Sequence, residues 1–269
     1  ENDGCEIKNF ADEEGNIRSA VRNPSYYFKS GITYGLISTF GFSARRVFGG
    51  SIFDVGGSMI FPNIPTDTLL GFLCSKVATC IISILNPTLN FQVGDVVRLP
   101  ILKDAFKPDF AVSCSELVAI ARVDWDNSET SWDFVDLPLL RAGTKDATLA
   151  ASWEAWHDQS ASCIRRMQEL ETKNNRLFIE AYGLGNELTP EVPEEQITLA
   201  RADQRKDMAA FLSYAVGCMM GRYSLDKPGL ILANAGDTLR EFLAKVGRSQ
   251  AQLIFAPDED GIIPVLDGE

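Results

Sequence analysis

The chain has 269 residues, of which 45% are hydrophobic and 23% charged, and its formal net charge is −12 at pH 7. This composition is typical of a globular protein and excludes a largely disordered chain, and the length suits one large domain or two ordinary ones. The charge is uneven: residues 15–103 hold eight basic and three acidic side chains, whereas residues 104–269 hold 16 basic and 28 acidic ones. This asymmetry indicates that the two parts have separate tasks.

The stretch NPSYYF, residues 23–28, resembles the Asn-Pro-Pro-Tyr motif with which adenine methyltransferases hold a flipped base. Ser25 replaces the second Pro, and no Gly-rich cofactor turn with the expected spacing lies nearby. We therefore interpret this stretch as a turn that leads into a strand.

The next segment, residues 30–62, has the pattern of a small sheet. Short runs of Ile, Val, Phe, Tyr and Thr are separated by Gly, which is typical of strands and tight turns. The predicted strands are Ile32–Ser38, Ala44–Phe48, Ser51–Val55 and Ser58–Phe61.

A 17-residue apolar run, Leu69–Leu85, follows Pro65 and can be capped by Thr66 or Asp67. Because Lys76 and several hydroxyl side chains interrupt the run, we predict a buried helix and no membrane span. Two further strands are predicted, one over Asn90–Leu102 around a turn at Gly94-Asp95 and one over Leu117–Val123.

A long helix is predicted from about Asp146 to Tyr182, since a heptad seam runs through it. The seam consists of Trp153, Trp156, Ser160, Cys163, Met167, Leu170, Asn174, Leu177 and Ala181. It fits either coiled-coil packing against another helix or an amphipathic helix that lies on its own domain. Two more helices are predicted, over Ala202–Tyr223 and over Thr238–Val246, the second capped by Asp237 and ended by Gly247.

These elements predict a mixed α/β (α+β) domain, followed by a long helix and a mainly helical carboxy-terminal region. The predicted boundaries are 1–125 for the first domain, 126–185 for the linker and long helix, and 186–269 for the last region.

Familiar enzyme motifs are missing from the sequence. Six scattered cysteines and the single His157 lack the spacing of a zinc site. We therefore expect the cysteines to be free thiols in a reducing cytoplasm. We expect His157 to be an exposed residue of a helix. The acidic group Asp124, Asp126, Glu129 and Asp133 is interpreted as a solvated loop, because it lacks the Gly-centred calcium loop. No catalytic or metal residue is predicted.

The basic segment offers a different chemistry. FSARRVFGGS places Arg45 and Arg46 beside aromatic residues and glycines, and Arg binds guanine edges and phosphates. NPTLNFQVGD concentrates Asn, Thr and Gln in a loop, and Asn and Gln side chains contact adenine edges. From spacing alone this is a weak signal for DNA contact, because paired arginines usually lie on a solvated surface.

Several longer stretches carry a family resemblance. LLGFLCSKVATCIISILNPTLNFQVGDVVRLPI resembles an element of the target recognition domains in type I restriction specificity subunits, and more closely the PglX-type adenine-specific methyltransferases of BREX phage-defence systems. Stretches similar to GITYGLIS, DWDNSETSWDF, NNRLFIEAYGLGNELTPEVPEEQITL and SYAVGCMMGRYSLDKPGLILAN occur in the same order in that family. The resemblance covers about Tyr27 to Leu266.

The resemblance implies a carboxy-terminal part of such a methyltransferase, which recognises a DNA target and is inactive without its catalytic domain. S-adenosylmethionine would bind in the full-length protein and no cofactor in this part. Expected partners are double-stranded DNA, the protein's own amino-terminal methyltransferase domain and other defence-system proteins. The candidate DNA-binding residues are Lys29, Arg45, Arg46, Thr88, Asn90 and Gln92. The alternative function is a protein-interaction scaffold that uses the long helix and does not touch DNA.

Overall fold

The computed structural model describes residues 5–19, 21–39, 41–102 and 109–259. They form two compact units: unit 1 comprises residues 1–115 and 172–191, and unit 2 comprises residues 116–171 and 192–269. A short helix α1 (Cys5–Lys8) comes first, and unit 1 then contains a small sheet and helices, whereas unit 2 is built from helices. The predicted fold class is confirmed, and the boundaries at 125 and 185 stay a prediction.

The sheet of unit 1 has three antiparallel strands in the order β2-β1-β3. They are β1 (Gly31–Gly35), β2 (Ala44–Val47) and β3 (Gly57–Ile60), so three of the four predicted strands are confirmed. The fourth, Ser51–Val55, is wrong. There the Asp54 carboxylate accepts hydrogen bonds from the backbone N–H groups of Gly56 and Gly57, at 2.8 and 3.2 Å, and makes a turn.

The predicted helix Leu69–Leu85 is broken into α2 (Thr66–Leu73) and α3 (Lys76–Leu85), which meet at 63°. Two neighbouring side chains of the long helix satisfy the backbone groups at this break. Asn174 Nδ2 donates to the Gly71 carbonyl at 2.8 Å, and the Lys76 N–H donates to Asn175 Oδ1 at 2.9 Å. A Cβ on Gly71 would lie 2.8 Å from Asn174 Oδ1, so a larger residue there would displace the Asn174 side chain.

The core of unit 1 lies between the sheet and these helices. Phe72 and Phe178 are fully buried, with ring centroids 5.5 Å apart, and Ile32 and Tyr34 face inward from β1. Within the described part of the chain, no single helix is long and apolar enough to cross a membrane. Only α2 and α3 taken together reach the length and apolar character of a membrane span, and they form a bent pair.

Two predicted strands are helical in the structure. The segment 90–102 contains a one-turn helix, α4 (Val93–Val96), because Gln92 and Asp95 form a reciprocal capping box. The segment 117–123 lies within α5 (Asp109–Trp125), where Leu117 and Ile120, three residues apart, pack against one apolar cluster of unit 2.

The long helix α6 (Leu149–Ala181) is confirmed, and its first part, up to Glu171, belongs to unit 2. Most of the predicted seam is covered by the chain itself: Met167 packs on Val192, Ile197 and Leu199, and Ser160 Oγ lies 3.3 Å from the Ala200 carbonyl. The structure therefore favours the amphipathic helix that lies on its own domain.

The remaining helices of unit 2 are α7 (Gln204–Met219) and α8 (Leu239–Val246), as predicted. Asp203 caps α7 by accepting from the Lys206 N–H at 3.1 Å. The cap of α8 is Thr238 and not the predicted Asp237, because Thr238 and Glu241 form a capping box. Phe134, Tyr214 and Tyr223 build a second apolar cluster, in which the two tyrosine rings are stacked 4.9 Å apart.

Candidate nucleic-acid interface

The two candidate arginines point to opposite faces of the sheet. Arg45 pairs across the strands with Thr33, whereas Arg46 pairs with Ile32, which is fully buried. Because side chains alternate along a strand, Arg45 lies on the outer face, where it is exposed, and Arg46 lies on the core side.

Arg46 is held by contacts on the core side of the sheet. Its Nη1 lies 3.4 Å from Asp67 Oδ1 in the first turn of α2, an ion pair without hydrogen-bond geometry. The Ser115 hydroxyl donates to the other Asp67 oxygen at 3.0 Å. Burial raises the pKa of the nearby Cys114 thiol to about 12, so this group stays neutral at pH 7. Arg46 therefore fixes β2 to α2.

The loop after α3 is fixed by hydrogen bonds among its own polar groups. We name this set the Asn86 clamp; it consists of Asn86, Thr88, Asn90 and Asp95. Asn86 Nδ2 donates to the Asn90 carbonyl at 2.7 Å and to Asp95 Oδ2 at 2.6 Å. Thr88 Oγ1 donates to Asn86 Oδ1 at 2.6 Å. Asp95 also accepts from the Gln92 N–H at 3.0 Å. These bonds fix the backbone of the loop.

The same loop is attached to the sheet. The Ser38 N–H donates to the Leu89 carbonyl at 3.1 Å, and the Phe91 N–H donates to the Leu36 carbonyl at 2.7 Å. Phe91 is buried, with its ring 5.4 Å from that of Phe42. The loop is thus anchored by a core aromatic ring while Thr88, Asn90 and Gln92 remain exposed.

Arg45 and Asn90 share one face of this frame. Asn90 pairs with Ile37, which lies four residues after Thr33 on the extension of β1 and so has the same orientation. The Asn90 segment and β2 lie on opposite edges of β1, which places Arg45 and Asn90 on the order of 15 Å apart, from the usual strand rise and spacing. This distance is comparable with the width of the DNA major groove, about 12 Å.

Lys29 lies at the other end of β1, before Gly31, and is exposed. Its Nζ is 5.0 Å from the centre of the Tyr26 ring, a cation–π distance. As expected, NPSYYF forms a turn, the 3-10 helix Pro24–Tyr26, ahead of the strand. By strand alternation Arg45 and Asn90 thus lie on one face, Thr88 and Gln92 are exposed on the same loop as Asn90, Lys29 lies at the other end of β1, and Arg46 lies on the core side.

Sequence reasoning missed Asn86 and Asp95, which orient the loop without being candidates for DNA contact. One sequence signal for Asp95 was available. Asp95 lies three positions after Gln92, which is the spacing of a capping box at the start of a helix. Arg98, exposed just after α4, is a further basic side chain near the loop.

The acidic side chains at the start of unit 2 bind partners within the chain. Asp126 and Asp133 flank the Arg122 guanidinium at 3.6 and 3.1 Å, and Asp124 accepts from the Ala200 N–H. Among the residues with described positions, no group of three or more potential metal ligands is found. His157 is exposed on α6, as predicted.

Comparison with known proteins gives whole-chain matches. The chain is 32% identical over 274 residues to the "Adenine-specific methyltransferase PglX" of Lacticaseibacillus casei (strain Zhang). It is 30% identical over 288 residues to the "Adenine-specific methyltransferase BrxX" of Escherichia coli O9:H4 (strain HS). Each match covers 100% of this chain. The chain is homologous to a segment of PglX-type adenine-specific methyltransferases. It spans 22% and 23% of the length of these two relatives, and no family model matches it.

S-adenosylmethionine, which a methyltransferase needs as methyl donor, does not fit the described residues of this chain. Such a cofactor is held by a Gly-rich turn after a strand of a parallel sheet, whereas the sheet here is antiparallel. The Gly183–Gly185 pair follows α6, where Gly183 has φ +67° and the Leu184 N–H donates to the Ile179 carbonyl, a helix-ending motif. The described glycines therefore do not form a cofactor-binding turn of this kind.

Proposed function

We propose that this chain recognises the DNA target of an adenine-N6 DNA methyltransferase in a BREX-type phage-defence system. Methyl transfer from S-adenosylmethionine belongs to a catalytic domain elsewhere in the full-length protein. The observation that carries the proposal is the shared face of Arg45 and the clamped loop in a segment homologous to adenine-specific methyltransferases.

Arg45 and Lys29 supply positive charge for phosphates, and the loop supplies amide and hydroxyl groups for base edges. Phosphate contacts position a protein on the duplex, and contacts to base edges select the sequence. Asn90 and Gln92 suit adenine, since a side-chain amide can bond to N6 and N7 together. Because the clamp fixes the loop before DNA arrives, little conformational entropy is lost on binding. Arg46 stabilises this face from the core side of the sheet through its ion pair with Asp67.

The charge distribution favours DNA at unit 1. Unit 1 carries 14 acidic and 12 basic residues, whereas unit 2 carries 23 and 13. Unit 2 therefore repels phosphates, and the duplex is expected on unit 1. The alternative, a scaffold that uses the seam of α6, is less well supported because Met167, Leu170 and Asn174 are already buried in the chain.

The test uses the full-length methyltransferase with its complete defence system in cells, with modified adenines mapped by long-read sequencing. Asn90→Ala combined with Gln92→Ala is expected to relax or change the methylated sequence, since methyl transfer itself does not involve these residues. The matched control is Arg176→Ala, which removes an exposed side chain of unit 1 on α6. An unchanged methylated sequence at an unchanged level in the double variant would refute the proposed role of the loop.

A further inference from the structure

The backbone of Phe28 is strained. Phe28 lies three residues before β1 and has φ +63°, in the left-handed region that is unfavourable for a bulky side chain. The Phe28 N–H donates to the Ser51 carbonyl at 2.9 Å, and the Phe28 carbonyl accepts from the Gly50 N–H at 3.1 Å. A Cβ on Gly49 would lie 2.9 Å from the Phe28 carbonyl oxygen, so glycine allows this close approach. Such strain persists only where surrounding contacts impose it, and it is concentrated at functional sites.

The strained backbone carries an exposed aromatic ring. Phe28 is 46% exposed, and Tyr26, two residues earlier, is 44% exposed. The Phe28 ring meets the Tyr27 ring edge to face, with centroids 6.5 Å apart, and Tyr27 packs in the same way on Phe53 at 5.4 Å. Burial in the core therefore does not explain the strained conformation. The contacts instead hold an aromatic side chain in a defined position at the surface of unit 1.

The chain around this ring is basic. Residues 15–53 contain five basic residues and no acidic one. Two of the five, Arg18 and Arg46, form ion pairs. The other three, Arg22, Lys29 and Arg45, are exposed and form no ion pair with any residue that the structure describes. Exposed cations beside exposed aromatic rings are the chemistry of nucleic-acid binding, in which the cations hold phosphates and the rings stack on bases.

Phe28 is close enough to Arg45 for both to contact one duplex. Phe28 lies five residues before Thr33, the cross-strand partner of Arg45, which corresponds to about 17 Å along an extended strand. This is the length of about five base pairs at 3.4 Å each. Paired bases inside a duplex do not offer a free face to a side chain, whereas methylation of an adenine requires that the base leave the stack. The opened position then offers unpaired bases on which a ring can stack.

We propose that the Phe28 ring stacks on an unpaired DNA base where the duplex is opened, while Lys29, the next residue, binds an adjoining phosphate. This role rests on the proposed recognition of DNA by unit 1 and adds to it a contact that a fully paired duplex does not make. Apolar side chains stabilise unstacked DNA in this way, and stacking on an aromatic ring requires no particular base. A ring held in place before binding loses little conformational entropy when the base arrives, which is a physical reason for the strained backbone.

The test measures binding of the whole chain to two labelled 30-base-pair duplexes by fluorescence anisotropy, one fully paired and one with three extra, unpaired thymines at its centre. The natural chain is expected to bind the second duplex at least five-fold more tightly, the lower end of the range for one base stacked on an aromatic ring. Phe28→Asn removes the ring, and asparagine tolerates the left-handed conformation. This variant is expected to bind the paired duplex within two-fold of the natural chain and to reduce the preference to less than two-fold.

Two control variants keep the preference if the ring is responsible for it. Phe28→Tyr retains an aromatic ring, and Phe10→Ala removes a phenylalanine of unit 1 that is 62% exposed. Circular dichroism in urea checks folding, and Phe28→Asn is expected to unfold at the same urea concentration as the natural chain or a higher one, because the strain is relieved. A preference that survives in Phe28→Asn would overturn the role of the ring. Equal binding of both duplexes by the natural chain would also overturn it and leave the DNA contact of Arg45 standing, whereas binding to neither duplex would refute the proposed function as well.

A photochemical readout locates the contact without relying on affinity. One unpaired thymine is replaced by 5-iodouracil, which crosslinks to a neighbouring aromatic ring on irradiation. The crosslink is expected in the tryptic peptide of residues 23–29, which follows Arg22 and ends at Lys29. Crosslinks confined to other peptides would show that the unpaired base lies elsewhere and would contradict the proposal.

Discussion

The Asn174→Leu substitution tests how the bend between α2 and α3 is stabilised. The Asn174 amide donates to the Gly71 carbonyl at 2.8 Å, and Asn174 is only 4% exposed. Leucine has a similar size but no donor, so the substitution leaves a buried carbonyl without a partner. We expect a loss of about 2 kcal/mol, from the lost bond and the uncompensated desolvation, or roughly thirty-fold in the local opening equilibrium.

Hydrogen exchange of the peptide that covers residues 66–85 measures this local opening, and urea denaturation followed by circular dichroism measures unfolding of the chain. Lys173→Leu is the matched control, because it makes the same replacement one residue earlier, where the side chain is exposed. If Asn174→Leu exchanges at the rate of the control, within a factor of two, the Asn174 bond does not stabilise the bend and the reasoning is wrong.

Three further predictions concern the arginine pair, the loop clamp and pH. Arg46→Met is expected to lower the free energy of unfolding by about 1–2 kcal/mol in urea titrations, since Asp67 loses its partly buried counter-charge; unchanged stability would contradict the supporting role. Asn86→Ala is expected to speed hydrogen exchange of residues 86–95 and to weaken DNA binding while circular dichroism stays unchanged; normal exchange there would contradict the clamp. Hydrogen bonds from Thr238 and the adjacent Arg240 lower the pKa of Glu241 to about 2 from an ordinary 4.5. Glu241 therefore stabilises the fold above pH 4.5, and this contribution is lost as the pH falls towards 2. The natural chain is expected to have a higher urea midpoint than Glu241→Gln at pH 6 and the same midpoint at pH 2. A difference in midpoint that does not change with pH would contradict this prediction.

Local sequence signals were sufficient where an element's own residues determine it. The strands around Ile32 and Arg45 follow from their β-branched and aromatic residues and the glycines between them. The long helix follows from its seam, and its end follows from Gly183. The helix of residues 204–219 follows from the spacing of its apolar residues, whereas its start at the Asp203 cap was not predicted.

Distant side chains decided two of the elements that were missed. The apolar run 69–85 carries one internal signal for the bend, Ser75, whose hydroxyl caps α3 by accepting from the Ala78 N–H. The amides that satisfy its broken backbone belong to Asn174 and Asn175, about a hundred residues later. The β-branched residues of 117–123 suggested a strand, and packing of Leu117 and Ile120 on the cluster around Ile164 made them helical. Tertiary packing overrides such weak local preferences.

The sequence predicted which residue types form the candidate site, but not which side of the sheet each side chain faces. Adjacent arginines in a strand must face opposite sides, yet the sequence does not say which one faces the core. The inward direction of Arg46 depends on its register with Ile32 and on Asp67 of another element.

The most direct test of the DNA-binding face is a salt titration of duplex binding by the whole chain, measured by fluorescence anisotropy with a labelled 30-base-pair duplex. Arg45→Ala is compared with Arg176→Ala, which removes an exposed charge of the same unit from α6. We predict that Arg45→Ala weakens binding several-fold at low salt and lowers the slope of log affinity against log salt by about 0.9, as expected for one lost phosphate contact. Equal affinities and equal slopes for the two variants would show that DNA does not bind to this face.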